Sequence, residues 1–206
     1  MTDARKAHWE GVYGTKLPTE VSWYEPVPAA SLELIHATGV GQSAAILDVG
    51  GGASPLVDHL LGDGYADVTI LDIAGSALRR ARARLGDTGT RVAWIEDDIT
   101  RFRPGRRYAL WHDRAVFHFL VDAGDRKRYL DVLRTALAPG GHVVLATFGP
   151  EGPTRCSGLP VQRYSVEDIT GLLGPRFELR QHHLAAHRTP AGALQQFVYG
   201  WWQAGD

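Results

Sequence analysis

"ILDVGGGASPL", residues 46–56, decides the fold. Apolar residues run up to Asp48, three glycines follow at 50, 51 and 52, and Ser54-Pro55 then opens a helical pattern. Strand, glycine turn and helix in that order form the first unit of an open α/β sheet. The turn is where such a sheet holds a nucleotide.

Working outward, apolar runs of strand length recur: AAILDV (44–49), ADVTILD (66–72), RVAWIE (91–96), YALWH (108–112) and GHVVLATF (141–148). Between them PLVDHLLGDG (55–64), GSALRRARARLG (75–86) and DRKRYLDVLRTALAPGG (125–141) read as helices. In the last, Tyr129, Leu130, Leu133, Ala136 and Leu137 recur at three and four, and Pro139-Gly140-Gly141 is the expected stop. Strand–helix alternation predicts a parallel sheet with helices on both faces. The tail differs, because residues 177–188 and 191–203 flank Thr189-Pro190 with strand-like residues. They predict an antiparallel hairpin on the sheet edge. A short helix over 165–174 is capped by Ser165 with Asp168, and two more short helices are expected over 3–13 and 28–38. No repeat or second domain is visible. The expected organisation is one domain over 1–206: a helical lid (1–40), a ligand-binding core (44–148), then a loop, helix and hairpin (149–206).

Composition narrows the function. A formal net charge of -1 over 206 residues leaves no broad basic field for nucleic acid. The single cysteine, Cys156, excludes an intrachain disulfide framework. The first residues hold no apolar signal core and no run has the length of a membrane span, so no membrane partner and a cytoplasmic location are expected.

The glycine loop departs from a dinucleotide fingerprint. Gly50 and Gly52 fit it, and Asp72 follows at the spacing of a ribose-binding acid, but position 55 is proline. A pyrophosphate rests on free amides at the helix start, and proline has none. Asp48 at the mouth of the loop would repel phosphates and attract an ammonium or sulfonium. Asp98 follows the third apolar run as Asp48 and Asp72 attend the first two. Three acids along the carboxyl edge suit a cationic amino-acid part, a ribose and an adenine amino group, the outline of S-adenosylmethionine.

ILDVGGGAS, VTILDIAGSAL, WIEDDIT, ALWHDRAVFHFL and LRTALAPGGHVVLATF resemble, in order, the motifs of class I S-adenosylmethionine-dependent methyltransferases over residues 44–148. The resemblance implies a Rossmann-like, doubly wound, seven-stranded sheet, mostly parallel with a C-terminal antiparallel hairpin. It implies that Gly50 and Gly52 wrap the methionine part, Asp72 the ribose, Ile73 the adenine face, and Asp98 with the Ile99 amide the adenine edge. His112 and Arg114, beside the donor, join the cofactor set. Gly51 stands where many members have cysteine or alanine.

The entry segment HWEGVYGTKLPTEVSWY (8–24) is similar to that of lysine methyltransferases acting on translation factors. By that likeness Trp9 and Tyr13 close over the cofactor and Trp23 or Tyr24 walls the pocket, where aromatic faces also suit a sulfonium. Asp113-Arg114 instead resembles the D-R-G/A of thiopurine-type methyltransferases. The preferred expectation is methyl transfer to a small molecule, with a thiol or other soft atom as the candidate acceptor and Asp113 and His118 as catalytic candidates. His118 is four residues after Arg114, on one face if the segment is helical, and has a pKa suited to a base. The alternatives are a protein-lysine methyltransferase and, in another class, a nucleotide-binding oxidoreductase or a non-catalytic binding module. Arg155 and Arg163 in the loop 151–164 could meet an anionic group, while Cys156 and the C-terminal histidines match no zinc spacing.

Overall fold

The computed structural model describes residues 2–205. Met1 of the expected lid and Asp206 lie outside them. The chain opens with α1 (Thr2–Thr15), a 3-10 turn (Pro18–Glu20) and α2 (Ala29–Ala37). Strands β1 (Ala45–Val49), β2 (Asp67–Asp72), β3 (Val92–Glu96), β4 (Tyr108–Arg114) and β5 (Leu137–Phe148) then alternate with α3 (Leu56–Gly62), α4 (Gly75–Leu85) and α5 (Ala123–Ala136). A two-residue hairpin of β6 (Arg155–Cys156) and β7 (Leu159–Pro160) precedes α6 (Val166–Leu173), β8 (Phe177–Arg188) and β9 (Leu194–Ala204).

The main sheet runs β3-β2-β1-β4-β5-β9-β8. β1 to β5 pair in parallel, and β9 lies antiparallel to both β5 and β8. The order reverses between β1 and β4, so the loops leaving their carboxyl ends diverge and open a crevice there. Alternate strand residues serve opposite faces. Leu47, Trp111 and Val143 bury against α5 and α6, with Tyr129, Leu133 and Ile169. Ile46, Leu110 and Val144 bury with Leu34, Leu60 and Leu78 of α2, α3 and α4. This is the doubly wound mixed sheet expected from the motifs.

Two boundaries move, and the second matters to the site. The α5 helix ends at Ala136, before Pro139-Gly140-Gly141, because Leu137 already pairs with Tyr108 of β4. The Pro-Gly-Gly run instead makes an irregularity at the start of β5, with Gly140 at φ 66°. At the other boundary, β4 continues through Arg114 and is followed by a 3-10 turn, Phe117–Phe119. No helix carries Arg114 and His118 together.

Candidate functional site

Two glycines shape the loop after β1. Gly50 and Gly52 have φ of 68° and 45°, left-handed values that favour glycine. The Gly50 amide donates to the Leu71 carbonyl at 2.6 Å, fixing the loop beside β2. A Cβ on Gly52 would stand 2.7 Å from Asp72 Oδ2 and 2.9 Å from the Tyr13 hydroxyl. Close backbone approach to the second acid therefore needs glycine here.

The three acids differ in how they are held. Asp48 is the penultimate residue of β1, not a residue after it; its buried Oδ1 is 2.7 Å from His112 Nδ1. The other nitrogen of His112, Nε2, is 2.9 Å from Ser31 Oγ on α2. Asp72 ends β2 and accepts from the Ala74 amide at 2.8 Å. Burial pushes its carboxyl up to about 7, aided by the charges of Asp48 and Glu10 and opposed by the amides of Ala74 and Ile73. No cation pairs with it among the described residues. Asp98 lies two residues beyond β3, where its Oδ1 accepts from Thr100 N at 2.9 Å and Thr100 Oγ1 at 2.8 Å. Its Oδ2 receives Arg5 from α1 at 3.1 Å.

These acids line one crevice with two lobes. The larger has about 750 Å³ of empty space and is walled by Trp9, Tyr13, Trp23, Asp72, Ile73, Asp98 and Ile99. The second, about 590 Å³, is walled by Asp48, Gly50, Gly51, His112 and Ser31. Tyr13, Trp23, Gly50 and Arg114 border both lobes, which makes them continuous. Gly52 borders neither and acts through its packing on Asp72.

Trp9, Tyr13, Trp23 and Tyr24 of the entry segment border the crevice. Trp9 meets Trp23 and Phe119 edge-to-face, with centroids 5.7 and 4.9 Å apart. Arg114 anchors the segment: it donates to the Trp23 carbonyl at 2.9 Å, to Glu25 at 2.8 Å and to the Tyr199 hydroxyl at 2.8 Å. Glu25 in turn meets His187 Nδ1 at 3.0 Å.

The two residues expected to act on the acceptor are placed elsewhere, which corrects that expectation. Asp113 is fully buried and does not border the crevice. Its oxygens accept from the Val116 and Phe117 amides at 2.8 and 3.1 Å and from the Tyr129 hydroxyl at 2.6 Å. It shapes the turn after β4. His118 is also fully buried, and burial, with Arg114 nearby, pulls its ring down to about 3. Its Nδ1 accepts from the Phe148 amide at 3.2 Å, among Phe119, Phe148 and Phe197. Enclosed among these rings, the imidazole borders neither lobe of the crevice.

Sequence reasoning missed Arg5, Glu25, Ser31 and Phe119, all of which border the crevice. Their signal was absent because each is an ordinary residue of a helix, turn or loop made relevant only by tertiary packing. Cys156 borders the larger lobe, with burial holding its thiol above the usual range.

Residues 46–141 match the family of methyltransferase domains. The malonyl-[acyl-carrier protein] O-methyltransferase 2 of Ilyobacter polytropus is 25% identical over 107 residues, 52% of this chain. The chain spans only 40% of that relative's length. EEF1A lysine methyltransferase 2 of Danio rerio is 23% identical over 189 residues, 84% of this chain and 75% of that protein. Among solved structures, one concerned with conversion of a disulfide bond into a thioacetal group during echinomycin biosynthesis superposes with a TM-score of 0.78. It is 20% identical and covers 98% of this chain and 93% of its own.

Residues 46–141 thus carry a methyltransferase domain, consistent with an S-adenosylmethionine-dependent enzyme. The crevice of this methyltransferase fits that cofactor on its own terms. A buried carboxyl without a cation among the described residues, in a lobe walled by Trp9, Ile73, Ile99 and Phe119, suits paired hydroxyls beside a flat ring. No helix among the described residues is long and apolar enough to cross a membrane.

Proposed function

We propose that this methyltransferase transfers the methyl group of S-adenosylmethionine to a small, soft nucleophile, with a thiol as the first candidate. The observation that carries the reading is the continuous crevice: acids line both lobes, and the junction is bordered by Tyr13, Trp23 and Arg114. In this reading Asp72 takes the ribose hydroxyls, Ile73 and Ile99 enclose the adenine, and Asp98 receives its amino group. Asp48, fixed by His112 and Ser31, holds the methionine ammonium. Trp9, Trp23 and Tyr13 exclude water and face the sulfonium with aromatic rings.

The chemistry supplied by bound S-adenosylmethionine is an already activated methyl group, so positioning of the acceptor can provide much of the rate. His112, which borders the crevice, is already engaged by Asp48 and Ser31, and His187 behind it by Glu25 and Ser22. Arg114 is held by three partners. An acceptor that needs little help in losing a proton suits such a site.

A second reading, methylation of a protein lysine, is favoured by the entry segment and by the lysine methyltransferase relative aligned over 84% of the chain. It keeps the donor site and changes what enters the mouth.

A thermal-shift comparison tests the donor: S-adenosylhomocysteine should raise the melting temperature and NADH should not. Stabilisation by NADH alone would overturn the assignment. Labelled donor, offered first with small thiols and amines and then with cell-lysate protein, separates the two acceptor readings.

A further inference from the structure

The α4 helix begins beside the donor site without a cap of its own. Its N-cap residue is Ala74, in an extended conformation and with no side-chain oxygen to meet the first amides. The acceptor comes from another helix. Glu10 of α1, 65 positions earlier, takes the Gly75 amide on Oε1 at 2.8 Å, and its Oε2 is 3.3 Å from the Ser76 amide. The preceding residues form the turn that carries Asp72, where Asp72 Oδ1 accepts from Ala74 N at 2.8 Å. One short stretch, 72–76, thus has its amides divided between the ribose acid and a carboxylate of the lid.

We infer that Glu10 is a positioning residue of the donor site, capping α4 from the lid and so holding the Asp72–Ala74 turn in its ligand-ready shape. Its negative charge also lies at the positive end of the helix, where it is favourable. Lid docking and ordering of the ribose acid become one event. The sequence hides this role, because Glu10 and Gly75 belong to separate helices and neither forms a local capping motif.

The inference rests on reading the crevice as the donor site, and the test separates the two. Calorimetry with S-adenosylhomocysteine compares the full-length wild type, E10A, E10Q and the double variant E10A/A74S. A lost cap makes E10A bind about fivefold more weakly. E10Q keeps an acceptor and should stay within about twofold of wild type, the scale of losing an exposed charge near a helix start. Serine at position 74 supplies a cap within α4 itself, so E10A/A74S should recover most of the loss. Amide exchange of Gly75 and Ser76, read without ligand, should be slow in the wild type and E10Q and fast in E10A. Unchanged affinity in E10A, or no recovery in E10A/A74S, would overturn the inference. If E10A does not fold, fast Gly75 exchange in E10Q would overturn it and slow exchange would support it. Failure of the wild type to bind S-adenosylhomocysteine would sink the donor assignment, and with it the positioning role.

Discussion

Arg5 Nη2 lies 2.6 Å from Asp125 Oδ2 while its Nη1 lies 3.1 Å from Asp98 Oδ2, so one guanidinium of α1 joins two acids at the Asp98 end of the crevice. Asp98 and Asp125 are both nearly enclosed, whereas Arg5 is partly open to solvent. The two ion pairs therefore tie α1 down beside the larger lobe. Replacing Arg5 with Gln should weaken S-adenosylhomocysteine binding about threefold to tenfold, and the wild-type affinity should fall more with added salt than the variant's. Titrations at low and high ionic strength check this; identical salt slopes would remove Arg5 from the latch.

Asp72 makes donor binding sensitive to pH. Its carboxyl is raised from 3.8 to about 7, first by burial. The folded apo-protein then holds a proton that the unfolded chain releases near pH 4. Stability should accordingly decline as pH rises from about 4 to about 7, and this component should vanish in D72N. Ribose hydroxyls donate to a carboxylate and favour its charged form, so binding near pH 6.5 should release protons. Calorimetry in buffers of different ionisation enthalpy would show this for the wild type, and D72N should lose it together with at least about tenfold in affinity. Buffer-independent binding enthalpies in the wild type would count against ribose contact at Asp72.

Much of this architecture was legible in the chain. Asp48, Asp72 and Asp98 sit beside apolar runs whose order predicts the sheet, so their common edge followed from topology alone. The 108–120 segment was harder. Asp113 and Arg114 extend the strand expected over 108–112 because Asp113 pairs with both β1 and β5 and Arg114 with β5, and only pairing reveals that. With the strand lengthened, Asp113 points into the core and His118 falls in a tight turn. Contacts such as Arg5 with Asp98 or Glu10 with Gly75 join residues far apart in sequence that obey no periodicity, so nothing local announces them.

Asp113 should prove structural. Removing its carboxylate leaves the Val116 and Phe117 amides and the Tyr129 hydroxyl without an acceptor in the core. D113A should lose about 2–4 kcal/mol of stability, a consequence of stranded buried donors. Y129F removes two buried hydrogen bonds, the one donated to Asp113 and the one accepted from Trp111 Nε1, and should cost about 2–3 kcal/mol, with donor affinity and turnover unchanged within about twofold. A hundredfold fall in turnover of a stable Y129F would instead return Asp113 to the reacting centre. In the same profile His118, neutral above about 3, should contribute no inflection between pH 5 and 9.

The residue after Arg114 offers the last test. Ala115 has a φ of 73°, and its amide is held by the Ala146 carbonyl at 2.9 Å, so the strand end fixes it in the left-handed region. That region costs a residue with a Cβ about 1–2 kcal/mol, and glycine adopts it freely. Glycine also gains entropy in the unfolded chain, and Ala115 packs part of its surface on the neighbouring apolar cluster. The steric relief is the largest of these, so A115G should be more stable by about 0.5–1 kcal/mol, a rise of about 1–4 °C in melting temperature. A115V should move the other way, because a branched side chain is strained further at this φ. Ala115 borders the larger lobe beside Val116, so donor affinity reports whether the turn keeps its shape. Higher melting temperature with unchanged S-adenosylhomocysteine affinity is the expected result for A115G. A lower melting temperature would mean that packing of the Ala115 methyl outweighs its backbone strain.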